Sequence, residues 1–133
     1  MIEGKDLAVF ALGSMVHPAL KAVRKLSYYG IQAALINARF AAPLDVKTVV
    51  DWARKCGKII TVEENVLSGG FGSGILEVLE KENIKNVQVV RLGAPDAFVE
   101  HGPREKLLQL SGLDSDTIIA TARKLCLAKV KGA

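Results

Sequence analysis

The sequence predicts an α/β fold, a three-layer αβα sandwich around a mostly parallel sheet of four to five strands. Short apolar runs alternate along the chain with longer segments in which apolar residues recur at helical spacing. The first run, residues 7–12, is apolar throughout, which is typical of a parallel strand buried on both faces. Right-handed crossovers between such strands would place helices on both sides of the sheet.

Each element in the first half of the chain rests on a local pattern. The four predicted strands of the whole chain are residues 7–12, 31–36, 58–62 and 87–92. Ser14 is expected to cap the first helix, which Gly30 would end. Asp45 is expected to cap the second helix, and Gly57 is placed to end it.

The second half continues the alternation. A glycine run opens the third helix, and Pro103 begins a short helix that ends near Gly112. Asp114 or Ser115 is expected to cap the last helix. With 133 residues and no repeats or linkers, the chain fits one domain, residues 1–133.

Composition argues against several classes of protein. The net charge of +4 is scattered over predicted helix faces without interleaved aromatics, so nucleic-acid binding is not expected. No apolar run approaches the roughly 20 residues of a membrane span, and charges interrupt any secretory signal, so we expect a cytoplasmic protein without membrane contact. Cys56 and Cys126 are interpreted as small, buried apolar side chains rather than disulfide partners or metal ligands.

Polar residues concentrate where the predicted strands end. The connections that leave strands are longer and chemically richer than those that enter them. Because parallel strands all end at one edge, these residues are expected to form one rim that holds a ligand or a neighbouring domain. The candidate rim residues are Arg39, Asp45, Glu63, Glu64, Asn65, Gly69, Gly70, Gly72, Asp96 and His101.

The glycine run, residues 69–74, raises the question of an anion site. It lacks the Lys-Ser/Thr of a P-loop and the spacing of the dinucleotide fingerprint. No lysine or arginine lies between Thr61 and Gly74, whereas Glu63 and Glu64 would repel an anion. Structural or interfacial use of the glycines is therefore favoured over phosphate binding.

Glu63 and Glu64 end a predicted strand, so their side chains should point to opposite faces of the sheet. That geometry disfavours a carboxylate pair that converges on one substrate. One glutamate is expected to pair with Arg39, and the other to accept hydrogen bonds from the N–H groups that open the third helix. His101 is either a polar residue at a helix entrance or a donor aimed into a cleft.

No nucleophile stands out, since Ser14, Ser68 and Ser73 lack His/Asp partners. Taken together, however, four segments resemble a known family: residues 37–45 (NARFAAPLD), 61–74 (TVEENVLSGGFGSG), 92–102 (LGAPDAFVEHG) and 112–114 (GLD). In this order they resemble the C-terminal domain of the 1-deoxy-D-xylulose 5-phosphate synthases, within the transketolase C-terminal domain family. The likeness runs from about Gly4 to Cys126.

The resemblance implies a transketolase C-terminal domain-like fold and a role in a thiamine-diphosphate- and Mg²⁺-dependent transferase. Such enzymes condense pyruvate with glyceraldehyde 3-phosphate, releasing CO₂, at the start of non-mevalonate isoprenoid biosynthesis. In such enzymes two preceding catalytic domains hold the cofactor, and the resemblance implies that the full-length enzyme is a homodimer. The resemblance therefore implies no catalytic, cofactor-binding or metal residue in this chain, and an isolated chain that is inactive and binds no cofactor.

In that family the domain serves packing, dimer assembly and cleft shaping rather than chemistry. One departure is Ala42, which stands where relatives often carry lysine. Two other hypotheses remain open. One is a C-terminal domain or small subunit of transketolase or of a 2-oxo acid dehydrogenase; the other is a free-standing nucleotide- or anion-binding module.

Overall fold

The computed structural model describes residues 2–38, 45–66, 70–94 and 114–131. Its centre is a sheet of four strands in the order β2-β1-β3-β4. All three strand pairs are parallel, which confirms the predicted parallel sheet. The strands are β1 (Leu7–Ala11), β2 (Ala33–Asn37), β3 (Lys58–Val66) and β4 (Gln88–Ala94).

Helices cover both faces of the sheet, so the predicted three-layer sandwich is confirmed. They are α1 (Val16–Leu26), α2 (Val46–Cys56), α3 (Phe71–Lys81) and α4 (Ser115–Lys131). Helices α1 and α4 pack together over one face, around buried β-strand residues such as Val9 and Ile60. Helices α2 and α3 pack over the other face, around Phe10 and Ile59. Burial of both faces explains why the strands are so uniformly apolar.

The predicted helix boundaries hold at most ends. Gly30 and Gly57 adopt left-handed backbone conformations with φ of 75° and 70°, as expected of helix-ending glycines. Asp114 caps α4, where its Oδ1 accepts a hydrogen bond from the backbone N–H of Thr117 at 3.2 Å. The predicted short helix from Pro103 to Gly112 lies outside the described residues.

The prediction that Ser14 caps the first helix is wrong. Residues Gly13–Met15 form a 3₁₀ turn that leads directly into α1, and Met15 at the helix start makes no side-chain capping bond. Met15 already has helical backbone angles, whereas a capping residue normally has an extended backbone. The turn thus places Ser14 before the position from which a hydroxyl could cap α1.

An N-terminal arm, residues 2–6, lies along strand β2 and was not predicted. Ile2 and Leu35 form an antiparallel bridge in which each N–H donates to the other residue's carbonyl, at 3.1 and 2.9 Å. A Cβ atom on Gly4 would lie 2.4 Å from the backbone carbon of Ala33. The arm therefore covers the edge of β2, and only glycine at position 4 allows this approach.

Replacing Gly4 with alanine is expected to displace the arm and to lower the free energy of unfolding by about 1 kcal/mol, because backbone atoms block the new methyl group. Hydrogen exchange should become faster at the Leu35 amide, whose acceptor is the Ile2 carbonyl. The Val9 amide in β1 serves as the control. Unchanged protection at Leu35 would contradict the prediction.

Candidate functional site

Asp45 lies at the start of α2, on the rim side of the sheet. Its Oδ1 accepts a hydrogen bond from the Thr48 N–H at 3.2 Å, and its Oδ2 accepts one from the Thr48 hydroxyl at 2.7 Å. These bonds, led by the hydroxyl, hold the pKa of the Asp45 carboxyl below its ordinary value of 3.8. The predicted cap is confirmed, and both carboxylate oxygens are engaged in it.

The Asp45 cap should make stability depend on pH in acid. Because the folded-state pKa is lowered, the stabilisation is present above the unfolded value near 3.8 and is lost as pH falls through the folded value. Urea unfolding of the parent and Asp45→Asn, compared from neutral pH downward, should show a small difference that shrinks below that range. A difference that stays constant into strong acid would contradict the prediction.

Glu63 is the most unusual side chain of the rim, because it is a carboxylate with no exposed surface. Its Oε1 accepts a hydrogen bond from the backbone N–H of Phe71 at 2.7 Å, and its Oε2 accepts one from Gly72 at 2.6 Å. Gly70, the residue before α3, has no side chain with which to cap the helix. The Glu63 carboxylate therefore takes the place of an N-cap from the neighbouring strand.

The position of Glu63 compensates for its burial. A helix N-terminus carries a partial positive charge and unpaired N–H groups, both of which favour an anion. Hydrogen bonds to an ionised acceptor are about twice as strong as neutral ones. The start of α3 is thus an anion site whose anion is supplied by the protein itself.

Gly72 allows this arrangement by close packing. A Cβ atom at this position would lie 2.6 Å from Thr61 Oγ1 and 3.0 Å from the Cγ and Cδ atoms of Arg91. Only a residue without a side chain lets the first turn of α3 approach β3 and β4 this closely. The glycine is used structurally, in agreement with the favoured interpretation of the glycine run.

Two polar residues near α3 were not identified as candidates from the sequence. Arg91 lies in β4 and donates a hydrogen bond from Nη1 to Ser73 Oγ at 3.0 Å, which ties the strand to the helix. Thr61 Oγ1 is buried beside Gly72 and has no hydrogen-bond partner among the described residues. The available signal was a charged residue inside an otherwise apolar run, which marks a strand position that needs a polar contact.

The other candidate rim residues have varied outcomes. Glu64 is exposed whereas Glu63 is buried, so the prediction that the two glutamates face opposite ways is confirmed. Asn65 lies in β3, which continues to Val66 and pairs there with Ala94, so the strand is longer than predicted. Four candidates lie outside the described residues: Arg39, Gly69, Asp96 and His101. The pairing of Arg39 with a glutamate stays a prediction.

The start of α3 does not fit a diphosphate site. The N–H groups of Phe71 and Gly72, the natural cradle for a diphosphate, already donate to Glu63. Residues 2–38, 45–66, 70–94 and 114–131 contain no group of three or more histidine, cysteine or carboxylate side chains able to hold a metal ion. In the same ranges no helix is both long and apolar enough to cross a bilayer.

The cysteines are half-buried and neither forms a disulfide. Cys56 Sγ lies 3.8 Å from the Gly4 carbonyl oxygen, beneath the N-terminal arm. Burial raises the pKa of the Cys56 thiol, which favours the unreactive protonated form. The interpretation of Cys56 as a packing residue holds only in part, because the residue is half-buried rather than buried and its thiol donates a weak hydrogen bond to the Gly4 carbonyl.

Curated relatives match this chain along nearly its whole length. It is 45% identical over 131 residues to the 1-deoxy-D-xylulose-5-phosphate synthase of Halothermothrix orenii, covering 98% of this chain and 21% of the relative. It is 48% identical over 129 residues to synthase 1 of Geobacter sulfurreducens, covering 97% of this chain and 20% of that protein. The chain thus spans about a fifth of the length of these relatives.

Solved structures agree with this comparison. A split-gene transketolase, in the form of an inactive tetramer, is 36% identical to this chain. It superposes with a TM-score of 0.85, covering 92% of this chain and 40% of that one. A transketolase mutant from Pichia stipitis shares the fold at 16% identity, with a TM-score of 0.63 over 95% of this chain and 17% of that one. The family model for the transketolase C-terminal domain matches residues 1–118. The chain therefore belongs to the transketolase C-terminal domain family.

Proposed function

We propose that this chain is the C-terminal domain of a thiamine-diphosphate-dependent synthase. The full-length enzyme would condense pyruvate and glyceraldehyde 3-phosphate to 1-deoxy-D-xylulose 5-phosphate with loss of CO₂, for isoprenoid biosynthesis. The observation that carries the proposal is the identity of 45% and 48%, along nearly the entire chain, to relatives that bear this name. The coverage of about a fifth of their length supports a domain of a larger enzyme.

Within that enzyme we assign packing, dimer assembly and cleft shaping to this domain. The buried Glu63 supports this division of roles, because it occupies the N–H groups that would otherwise be offered to a phosphate. The partners in this proposal are the preceding catalytic domains and a second copy of the chain in a homodimer. Mg²⁺ bound with the cofactor in those domains, and a cytoplasmic location, belong to the same proposal.

A domain exchange tests the proposal. The stretch of the Halothermothrix orenii synthase that matches this chain is replaced by this chain, and formation of 1-deoxy-D-xylulose 5-phosphate is measured. We expect activity close to that of the parent, because the surfaces that contact the other domains should be shared at 45% identity.

The matched control carries the corresponding domain of the Pichia stipitis transketolase, which shares the fold at only 16% identity with this chain. That chimera should be far less active, because fold alone does not reproduce an interface. A folded chimera with this chain that is as inactive as the control would overturn the proposal.

We predict that the start of α3 does not bind the cofactor. Thiamine diphosphate with Mg²⁺, added to this chain, should leave the amide NMR signals of Phe71 and Gly72 unmoved, because both N–H groups donate to Glu63. Shifts of these two signals at micromolar cofactor would contradict the prediction and would favour an anion-binding module that uses the rim.

A second candidate is the small subunit or C-terminal domain of a transketolase. The likeness to the split-gene transketolase, at 36% identity and a TM-score of 0.85, supports this candidate. A second chimera, in which this chain replaces the matching part of a split transketolase, decides between the two when it is assayed beside the synthase exchange. A domain that supports ketol transfer in a split-transketolase host, but not synthase activity in the exchange, would favour this alternative.

A further inference from the structure

A cavity opens at the amino-terminal edge of the sheet, away from the rim. Its volume is about 340 Å³, within the range of small-molecule sites. The segments before β1 and β2, the first residue of β3 and the second half of α4 contribute its walls. Its charged, aromatic and apolar surfaces come from Asp6, Tyr29, Ile31, Lys58, Arg123 and Leu127.

Lys58 is the unusual residue of this cavity. Its side chain is only 6% exposed, which is rare for lysine without a paired anion. In the part of the chain that the structure describes, the Lys58 ammonium has neither a hydrogen-bond partner nor an ion pair. The ammonium itself is not among the fully enclosed side-chain atoms of the described residues, so it is open to the cavity, where a bound anion would pair with it.

Arg123 provides a second cation at the cavity. Its guanidinium carbon lies over the Tyr29 ring, 4.1 Å from the centroid, and this cation–π contact keeps the group beside the cavity. A contact of this kind with a ring face leaves the N–H groups of an arginine able to bind a carboxylate or phosphate. Within the described ranges these N–H groups donate no hydrogen bond.

The remaining walls determine the rest of the ligand. Among the described residues that line the cavity, Asp6 is the one carboxylate, and its Oδ2 already accepts a hydrogen bond from the Gln32 N–H at 2.8 Å. Two cations therefore face one anion. Ile31 and Leu127 add apolar surface, and Leu127 is 56% exposed. Such a wall suits a ligand that carries an apolar body as well as a charge.

We propose that this cavity binds a small organic anion, in which one carboxylate or phosphate group is attached to an apolar body. The anionic group lies between Lys58 and Arg123, and the body packs on Ile31 and Leu127. The proposal is independent of the synthase assignment, since it concerns the opposite edge of the sheet and would hold equally for a transketolase subunit.

Binding is tested on this chain by amide NMR with four probes: phenyl phosphate, benzoate, inorganic phosphate and the neutral benzamide. We expect phenyl phosphate or benzoate to shift the signals of Gly30, Ile31 and Cys126, which surround the cavity. Benzamide, without a charge, and inorganic phosphate, without an apolar body, should bind more weakly. The stronger of the two aromatic anions identifies the preferred acidic group.

Two variants assign the binding to the two cations. Lys58→Met keeps the buried stem without the charge and should weaken the stronger anion at least about tenfold, as loss of a charged hydrogen bond does. Arg123→Gln, at an exposed helix position, should weaken it as well without endangering the fold. Lys25→Met, which removes an exposed cation of α1, is the matched control and should leave affinity unchanged.

Three results would overturn the proposal: shifts from benzamide equal to those from the stronger aromatic anion, unchanged affinity in Lys58→Met, or no response to either aromatic anion at millimolar concentration. Failure of anion binding leaves the domain-exchange experiment untouched, because that experiment reports on the synthase host. The two proposals can therefore fail separately.

Discussion

Replacing Glu63 with alanine is expected to lower the free energy of unfolding by about 3–5 kcal/mol. The substitution leaves the buried N–H groups of Phe71 and Gly72 without acceptors and opens a cavity beneath α3. A loss of this size is a large fraction of the roughly 5–15 kcal/mol that stabilises a typical domain. Urea unfolding monitored by circular dichroism measures it.

Glu63→Gln separates charge from shape. The amide keeps one acceptor oxygen but turns an NH₂ group toward a helix N–H, so we expect a loss of about 2–3 kcal/mol. Glu77→Gln, at an exposed position of α3, is the control and should change stability by no more than about 0.5 kcal/mol. If Glu63→Gln were as mild as this control, the carboxylate would not be the cap of α3.

Gly72→Ala is expected to destabilise the chain by about 2 kcal/mol. The new methyl group would meet Thr61 Oγ1 at 2.6 Å, a contact that the Thr61 side chain or the first turn of α3 must shift to relieve. The usual gain of about 1 kcal/mol when alanine replaces glycine in a helix offsets only part of this overpacking. Thermal unfolding should therefore show a lower Tm despite the better helix former.

A double-mutant cycle tests the stated cause of this effect. Thr61→Ala removes the Oγ1 atom that blocks the methyl group, so Gly72→Ala should be milder by about 1 kcal/mol in that background. Thr61→Ala alone provides the reference, and its own effect is limited because Oγ1 has no hydrogen-bond partner in the described part of the chain. Strict additivity of the two substitutions would locate the strain elsewhere.

Local patterns made much of the fold predictable. Uninterrupted apolar runs identify doubly buried strands, and Asp45, Gly30 and Gly57 mark helix ends through their own backbone and side-chain chemistry. The prediction for Ser14 was wrong because a serine alone does not decide where a helix is capped. The backbone angles of the turn between β1 and α1 also decide it.

Contacts between distant segments were less predictable. Strand alternation showed that Glu63 and Glu64 face opposite ways, but not which of them meets α3, because that depends on how the helix lies on the sheet. Nothing in the sequence around Gly4 indicated that the N-terminal arm lies along β2. Lys58 looked like an ordinary charged residue at the start of a strand, and only its depth beneath α4 sets it apart.

The carboxylate that fills the start of α3 is tethered, and this has a thermodynamic consequence. An intramolecular group competes with free ions at an effective concentration of roughly millimolar or more. A metabolite phosphate would have to displace Glu63 against that advantage, with like charge repelling it. A covalently attached side chain therefore keeps the start of α3 ordered, and that order does not depend on the concentration of any metabolite.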